Sequence, residues 1–325
     1  MTTTTFSAAP YNGVSTTGTE IRAWVQAIHT ALTAIGLVQT ADTGQINPAT
    51  VTNAAATDTE SGYEVWRFND TLQATAPVFV RIGYGRANGT TCPQLWVTVG
   101  KGTDGAGTIT GVLIPRTRTG GSDNSGTSTT TATGYASSGD GSMLALFPFI
   151  MYASGAPTAA LPGFVLDRSR DASGAPTGDG VSLAVRGSTV SPVTLASSAT
   201  PTGLPALTAS SYATGAVDVG VIPVLLPYTL NGVVLTAGNG FGAGILAPVF
   251  PWTCYAPGVA PWQSLAAVSY AGADDPGGVF TVFIAGQERT YRSIPISRMQ
   301  CGWGVSMNPE ANQVSTYVGV AILWE

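Results

Sequence analysis

The sequence predicts a mainly β fold: an N-terminal helix packed on an antiparallel sheet, followed by a β-sandwich or barrel-like unit. Three observations lead there. An apolar stripe near the start repeats with the helical period, the runs after it alternate between glycine-rich turns, and the second half sets short strand-like segments among Ala, Ser, Pro and Gly. The expected division is an α+β unit over 1–115, a Gly/Ser/Thr-rich loop or arm over 116–141, and a β-rich unit over 142–325.

The helix is written by Ile21, Trp24, Val25, Ile28, Leu32 and Ile35, whose three- and four-residue spacing places them on one face. Thr17 and Glu20 read as a capping box at its start, and Gly36 is placed for a C-cap. His29, the one histidine of the chain, falls at the edge of the stripe, about 80° from Ile21 at helical rotation. With no second histidine beside it, a packing role is expected rather than a ligand's.

Four strands should follow: Tyr63 to Phe68, Val78 to Ile82, Leu95 to Val99 and Thr108 to Ile114, joined by the turn signals Asn69-Asp70, Ala87-Asn88-Gly89 and Asp104-Gly105. Their apolar side gives the helix a surface to cover. Residues 116–141 have almost no large apolar side chain and read as a loop, or as an arm that an assembly would order. Strand candidates resume at 144–152, 163–166, 181–185, 219–226, 233–235, 279–284, 291–296 and 314–324. The apolar C-terminal run, with Tyr317, Val318, Val320, Ile322 and Trp324, must be tied into a sheet, within the subunit or as an assembly strand against a neighbour.

Charge is the other informative quantity. Only 10% of the 325 residues are charged, with one lysine and twelve scattered arginines, against about 25% in ordinary soluble domains. A net charge of -5 without a basic cluster excludes a nucleic-acid footprint. No apolar run approaches a membrane span, and the Met1-Thr2-Thr3 start lacks a secretory signal, so a soluble chain with no membrane insertion is expected. Cys92, Cys254 and Cys301 are far apart and read as buried thiols; no metal and no cofactor are expected.

Chemical motifs are weak. Gly238 to Gly244 formally fits a dinucleotide loop, but no acidic residue follows until Asp274. Asp167, Arg168, Arg170 and Asp171 are dense enough for a carboxylate pair, as are Asp274 and Asp275, yet local Asp/Arg pairing in a turn-rich stretch explains the former. No GxSxG occurs, and a Ser-His-Asp triad would need His29. Calcium loops at Asp179 or Asp123-Asn124 lack supporting spacing. Trp252, Tyr255 and Trp262 cluster in a proline-rich stretch and are the residues expected to meet a partner or a glycan, whereas Trp66 and Trp96 should be core.

The run Gly62-Tyr63-Glu64-Val65-Trp66-Arg67-Phe68-Asn69-Asp70, continuing through Ala76 to Val80 and Leu95 to Gly100 as far as Gly107, resembles virion structural proteins of tailed bacteriophages. Gly163 to Asp171, through Gly180-Val181, is similar to a later segment of the same proteins. The resemblance implies a non-enzymatic part of the virion, in the tail as baseplate, tail tip or fibre attachment. It implies homo-oligomeric assembly, with a trimer preferred, together with other virion proteins. Two other addresses stay open: a tail fibre that binds a host receptor or surface glycan, and a head decoration or head-fibre protein. A low-charge Thr/Ser/Gly/Ala surface fits any subunit that other subunits cover.

Overall fold

A computed structural model of the chain describes residues 3–8, 19–52, 59–86, 93–119, 132–148, 163–171, 173–186, 205–215, 217–221, 245–249, 262–271, 279–284, 287–293, 305–307 and 316–324. In order these form β1 (Thr3–Ala8), α1 (Thr19–Ala34), β2 (Val38–Gln39), β3 (Thr59–Arg67), a 3-10 turn (Thr71–Ala74), β4 (Phe79–Arg86), β5 (Pro93–Thr103) and β6 (Ile109–Thr119). There follow β7 (Ala132–Ser137), β8 (Met143–Phe147), β9 (Phe164–Arg170), β10 (Pro176–Arg186), β11 (Pro205–Ser211) and β12 (Val217–Val221). The chain ends with β13 (Ile245–Val249), β14 (Trp262–Ala271), β15 (Val279–Ile284), β16 (Gln287–Ser293), β17 (Val305–Met307) and β18 (Thr316–Leu323). The fold is mainly β, with the N-terminal helix packed on antiparallel sheets.

Three open sheets are built. β2 to β6 lie in sequence order; a seven-stranded sheet runs β1-β7-β8-β9-β10-β11-β12; and a six-stranded sheet runs β13-β14-β18-β16-β15, with β17 beside β18. None closes into a barrel.

Helix α1 buries the stripe that its spacing predicts: Ile21, Trp24, Val25, Ile28, Leu32 and Ile35 are all inaccessible or nearly so. Each such side chain contributes on the order of 1.5–3 kcal/mol. Its C-terminus is a Schellman motif. The Gly36 amide donates to Thr33 O and the Leu37 amide to Leu32 O, with Gly36 at φ +86° where a side chain would be strained. Thr17, half of the expected capping box, lies outside the described residues.

The helix covers the inner face of β3–β6, where Trp66, Phe68, Val80, Ile82, Tyr84, Leu95, Val97 and Val99 point. The same core continues into Leu144, Leu146, Phe164, Leu166, Val181, Leu183 and Val185 of the seven-stranded sheet. β1, from the start of the chain, also belongs to that sheet, pairing antiparallel with β7 from Thr3↔Ser137 to Ala8↔Ala132. The core is thus shared across residue 115, where the sequence reading placed the end of its first unit.

The segment expected as an arm is ordered at both ends. Residues 116–119 finish β6 and 132–137 form β7, while 120–131 lie outside the described residues. β7 reads Ala-Thr-Gly-Tyr-Ala-Ser, and main-chain bonds to β1 and β8 hold it with Tyr135 as its one large side chain. Composition alone therefore misread it.

No described helix is long and apolar enough to cross a membrane.

Candidate functional site

The charged groups that matter are placed by β3, β4 and β9. Glu64 shares the inner face of β3 with Trp66 and Phe68, and its side chain is fully buried under α1. Two donors meet it: His29 Nδ1 lies 2.5 Å from Glu64 Oε1, and the Tyr84 hydroxyl donates to Oε2 at 2.5 Å. Gln39 Nε2 adds a longer contact at 3.5 Å. The bond to Glu64 raises the His29 pKa above the usual imidazole value; burial opposes this, and the carboxylate charge adds to it. Burial first, then the neighbouring Glu64 charge, lifts the Tyr84 phenol well above its ordinary range. No hydroxyl or thiol among the described residues bonds the His29 ring, and the Thr33 hydroxyl donates to the His29 carbonyl instead. The arrangement docks the helix on the sheet.

On the outer face of the same sheet, Glu60 accepts both Arg81 Nη atoms, at 3.1 and 2.7 Å, and Arg116 Nε at 3.0 Å. Arg81 lies over the Tyr63 ring and Arg116 over that of Trp96. Trp96, expected in the core, is buried beneath this half-exposed arginine.

Strand β9 carries the third group. Arg168 is buried, forms a two-pronged pair with Asp70, and donates Nη1 to Ala76 O at 2.8 Å. Two residues on in the same strand, Arg170 grips Asp167 through Nε at 3.1 Å and Nη2 at 2.9 Å, and its Nη1 reaches Gly174 O and Asp140. Burial lowers the Arg170 pKa, yet the charges of Asp167 and Asp140 more than reverse this. Burial pushes the Asp140 carboxyl up, but Arg170 and Ser142 together hold it below the usual range. Arg170 to Asp167 is the local pairing the sequence suggests; the link from Arg168 to Asp70, 98 residues away, is not.

A fourth cluster joins the six-stranded sheet to the seven-stranded one. Arg292 of β16 sits between the rings of Tyr135, at 4.4 Å, and Trp324, at 4.7 Å, which themselves meet edge to face. Its Nη1 reaches the Thr5 hydroxyl of β1 at 3.4 Å. Trp324 and Ile322, read as part of an assembly strand, are buried inside the subunit. Tyr317 and Val318 lie in β18 between β14 and β17, and Val320 pairs with Ala267 of β14. Tyr317, Val318 and Ile322 thus have described strand partners on both sides, and Val320 on the β14 side, so much of the apolar run is paired within the chain.

Trp262 opens β14, its side chain not described. Trp252 and Tyr255 lie outside the described residues. So do Cys92, Cys254 and Cys301, the Gly238–Gly244 run, strand candidate 233–235, Asp123, Asn124, Asp274 and Asp275. Asp179 is exposed in β10, and among the described residues no group of three His, Cys, Asp or Glu side chains is placed to hold a metal.

Compared with protein-family models, curated proteins and solved structures, the chain matches none.

Proposed function

We propose that the chain is a non-enzymatic structural component of a tailed-bacteriophage particle, placed in the tail as baseplate, tail tip or fibre attachment. It acts by assembling with copies of itself and with other virion proteins.

One observation carries the reading. In a chain only 10% charged, several of the described charges are paired with one another, Arg81 with Glu60, Arg168 with Asp70 and Arg170 with Asp167, and the sheets remain open, with weakly charged edges. Such edges favour strand pairing with other chains unless something covers them. The two phage-like stretches, Gly62 to Asp70 and Gly163 to Asp171, also meet in the fold, through Asp70 and Arg168.

Light scattering on the purified chain, with negative-stain images of the same fraction, tests the proposal. A closed oligomer, a multiple of 33.0 kDa with a ring or rod outline, is expected. A monomer at every concentration counts against self-assembly. Retention on immobilised host polysaccharide by that monomer favours the receptor-binding alternative.

A further inference from the structure

The six open sheet edges differ in how they are guarded. β2 has two residues; β6 contains Pro115 and shifts register against β5; β12 carries Asp218 and Gly220; β13 contains Pro248 and a register shift. β1 is approached by α1 and by Arg292. Shortness, proline, charge, bulges and cover are the devices that stop an edge from recruiting another chain. Among the described residues, β15 has none of them. It reads Val-Phe-Thr-Val-Phe-Ile, pairs in unbroken register with β16 on one side, and has no strand on its other side among the described residues. Val279 is 53% exposed and Thr281 is exposed as well.

We propose that the free edge of β15 pairs with β15 of a second copy, antiparallel, about a two-fold axis through Thr281. This rests on the assembly reading and names the surface it uses. Two features of the strand select a second copy. It has no charge with which to choose a different partner, and its sequence is complementary to itself. A two-fold axis normal to the sheet keeps its faces continuous, so residues standing opposite must differ by an even number. Centred on Thr281, that sets Thr281 opposite itself, Phe280 opposite Val282, and Val279 opposite Phe283. Threonine pairs and aromatic–β-branched pairs are the favoured cross-strand combinations. Centring on Val282 would instead put Thr281 opposite Phe283. The pairing fuses two six-stranded sheets and gives an even number of copies; combined with a three-fold it gives six.

The full chain tests this by crosslinking and mass together. Opposite residues in an antiparallel pair have Cα atoms about 4.5–5.5 Å apart, within disulfide range. Thr281→Cys should therefore form a linked pair on mild oxidation, beyond any link made by the three cysteines of the unchanged chain. Val279→Cys, whose copies would stand about 14 Å apart along the strands, should not. Thr281→Lys sets like charges face to face and should halve the mass seen by light scattering. If the unchanged chain is a closed oligomer but Thr281→Cys links no better than Val279→Cys, this edge is wrong while the assembly reading stands. A 33.0 kDa species at every concentration overturns both.

Discussion

Strand β3 presents two glutamates, four residues apart, to opposite faces of one sheet. A register shift between Glu60 and Gly62 reverses the alternation, so Glu60 joins Arg81 outside while Glu64 joins Tyr84 inside. Each carboxylate is held by two close side-chain partners, and Glu64 has Gln39 as a longer third. They differ in water: Glu60 and its arginines keep part of their hydration, whereas Glu64 has none, and its bonds replace everything water supplied. Coulomb attraction is similar in kind on both faces, but the cost of breaking it is not, because an abandoned group inside cannot return to solvent.

Arg168 takes the inner case to its limit, since both it and Asp70 are out of solvent. Arg168→Ala should cost about 3–5 kcal/mol, because Asp70 is left without its cation. Urea unfolding read by tryptophan fluorescence measures this. A loss below about 1 kcal/mol would mean water reaches Asp70 and the pair belongs with the outer class.

Tyr84→Phe isolates one bond to Glu64. The ring stays against Trp24, edge to face at 5.9 Å, while the carboxylate loses its donor. A loss of about 1–3 kcal/mol is expected in the same urea titration. The pair Tyr84→Phe and Glu60→Gln compares the two faces directly, and equal losses would dissolve the distinction.

The His29 side of the cluster titrates. Its folded pKa is raised, through Glu64, above the ordinary imidazole value of 6.5. The proton is thus bound more tightly in the folded state, and the stabilisation is fully present below pH 6.5. It disappears as pH rises through the folded pKa. Tyr84, lifted well above 10, does not titrate in that window. Urea midpoints should fall between pH 6 and pH 9 in the unchanged chain, and His29→Gln should flatten that fall. An equal slope in both would assign the pH dependence elsewhere.

Much of the helix-backed region is legible in the sequence, and physical reasons separate what is legible from what is not. Large apolar residues at fixed period mark α1 and the middles of β3, β4 and β5, because burial of their side chains holds them. β7 and β11 are built largely of Ala, Ser, Thr and Gly and are paired by main-chain bonds, which leave no periodic trace. Asp167 to Arg170 reads as a turn-rich charge cluster yet forms the end of β9, because its charges are matched by Asp70 and Asp140, which lie far off or outside the run. Glu64 had a usable signal: it falls at the same parity as Trp66 and Phe68, on the face the helix must cover. Its partner His29, at the edge of the helical stripe, could be placed only once the helix was docked. Glu60 had no such signal, since one irregularity in β3 decides which face it occupies.

The outer cluster should give the smallest effect. Glu60→Gln removes the charge from a carboxylate shared by Arg81 and Arg116 but leaves an amide able to accept one of their bonds. The guanidiniums also remain over Tyr63 and Trp96, and Arg116 is half exposed, so either arginine can turn to water. A loss of no more than about 1 kcal/mol is expected. It should shrink further between low salt and 1 M, where screening extends only about 3 Å, while the Tyr84→Phe loss should not change. Running both variants at both salt concentrations turns the contrast between faces into one number, the salt-dependent share of each loss. A salt-insensitive loss at Glu60 above about 2 kcal/mol would show that Arg81 and Arg116 shield it as completely as α1 shields Glu64, and that the two faces of β3 differ in geometry alone.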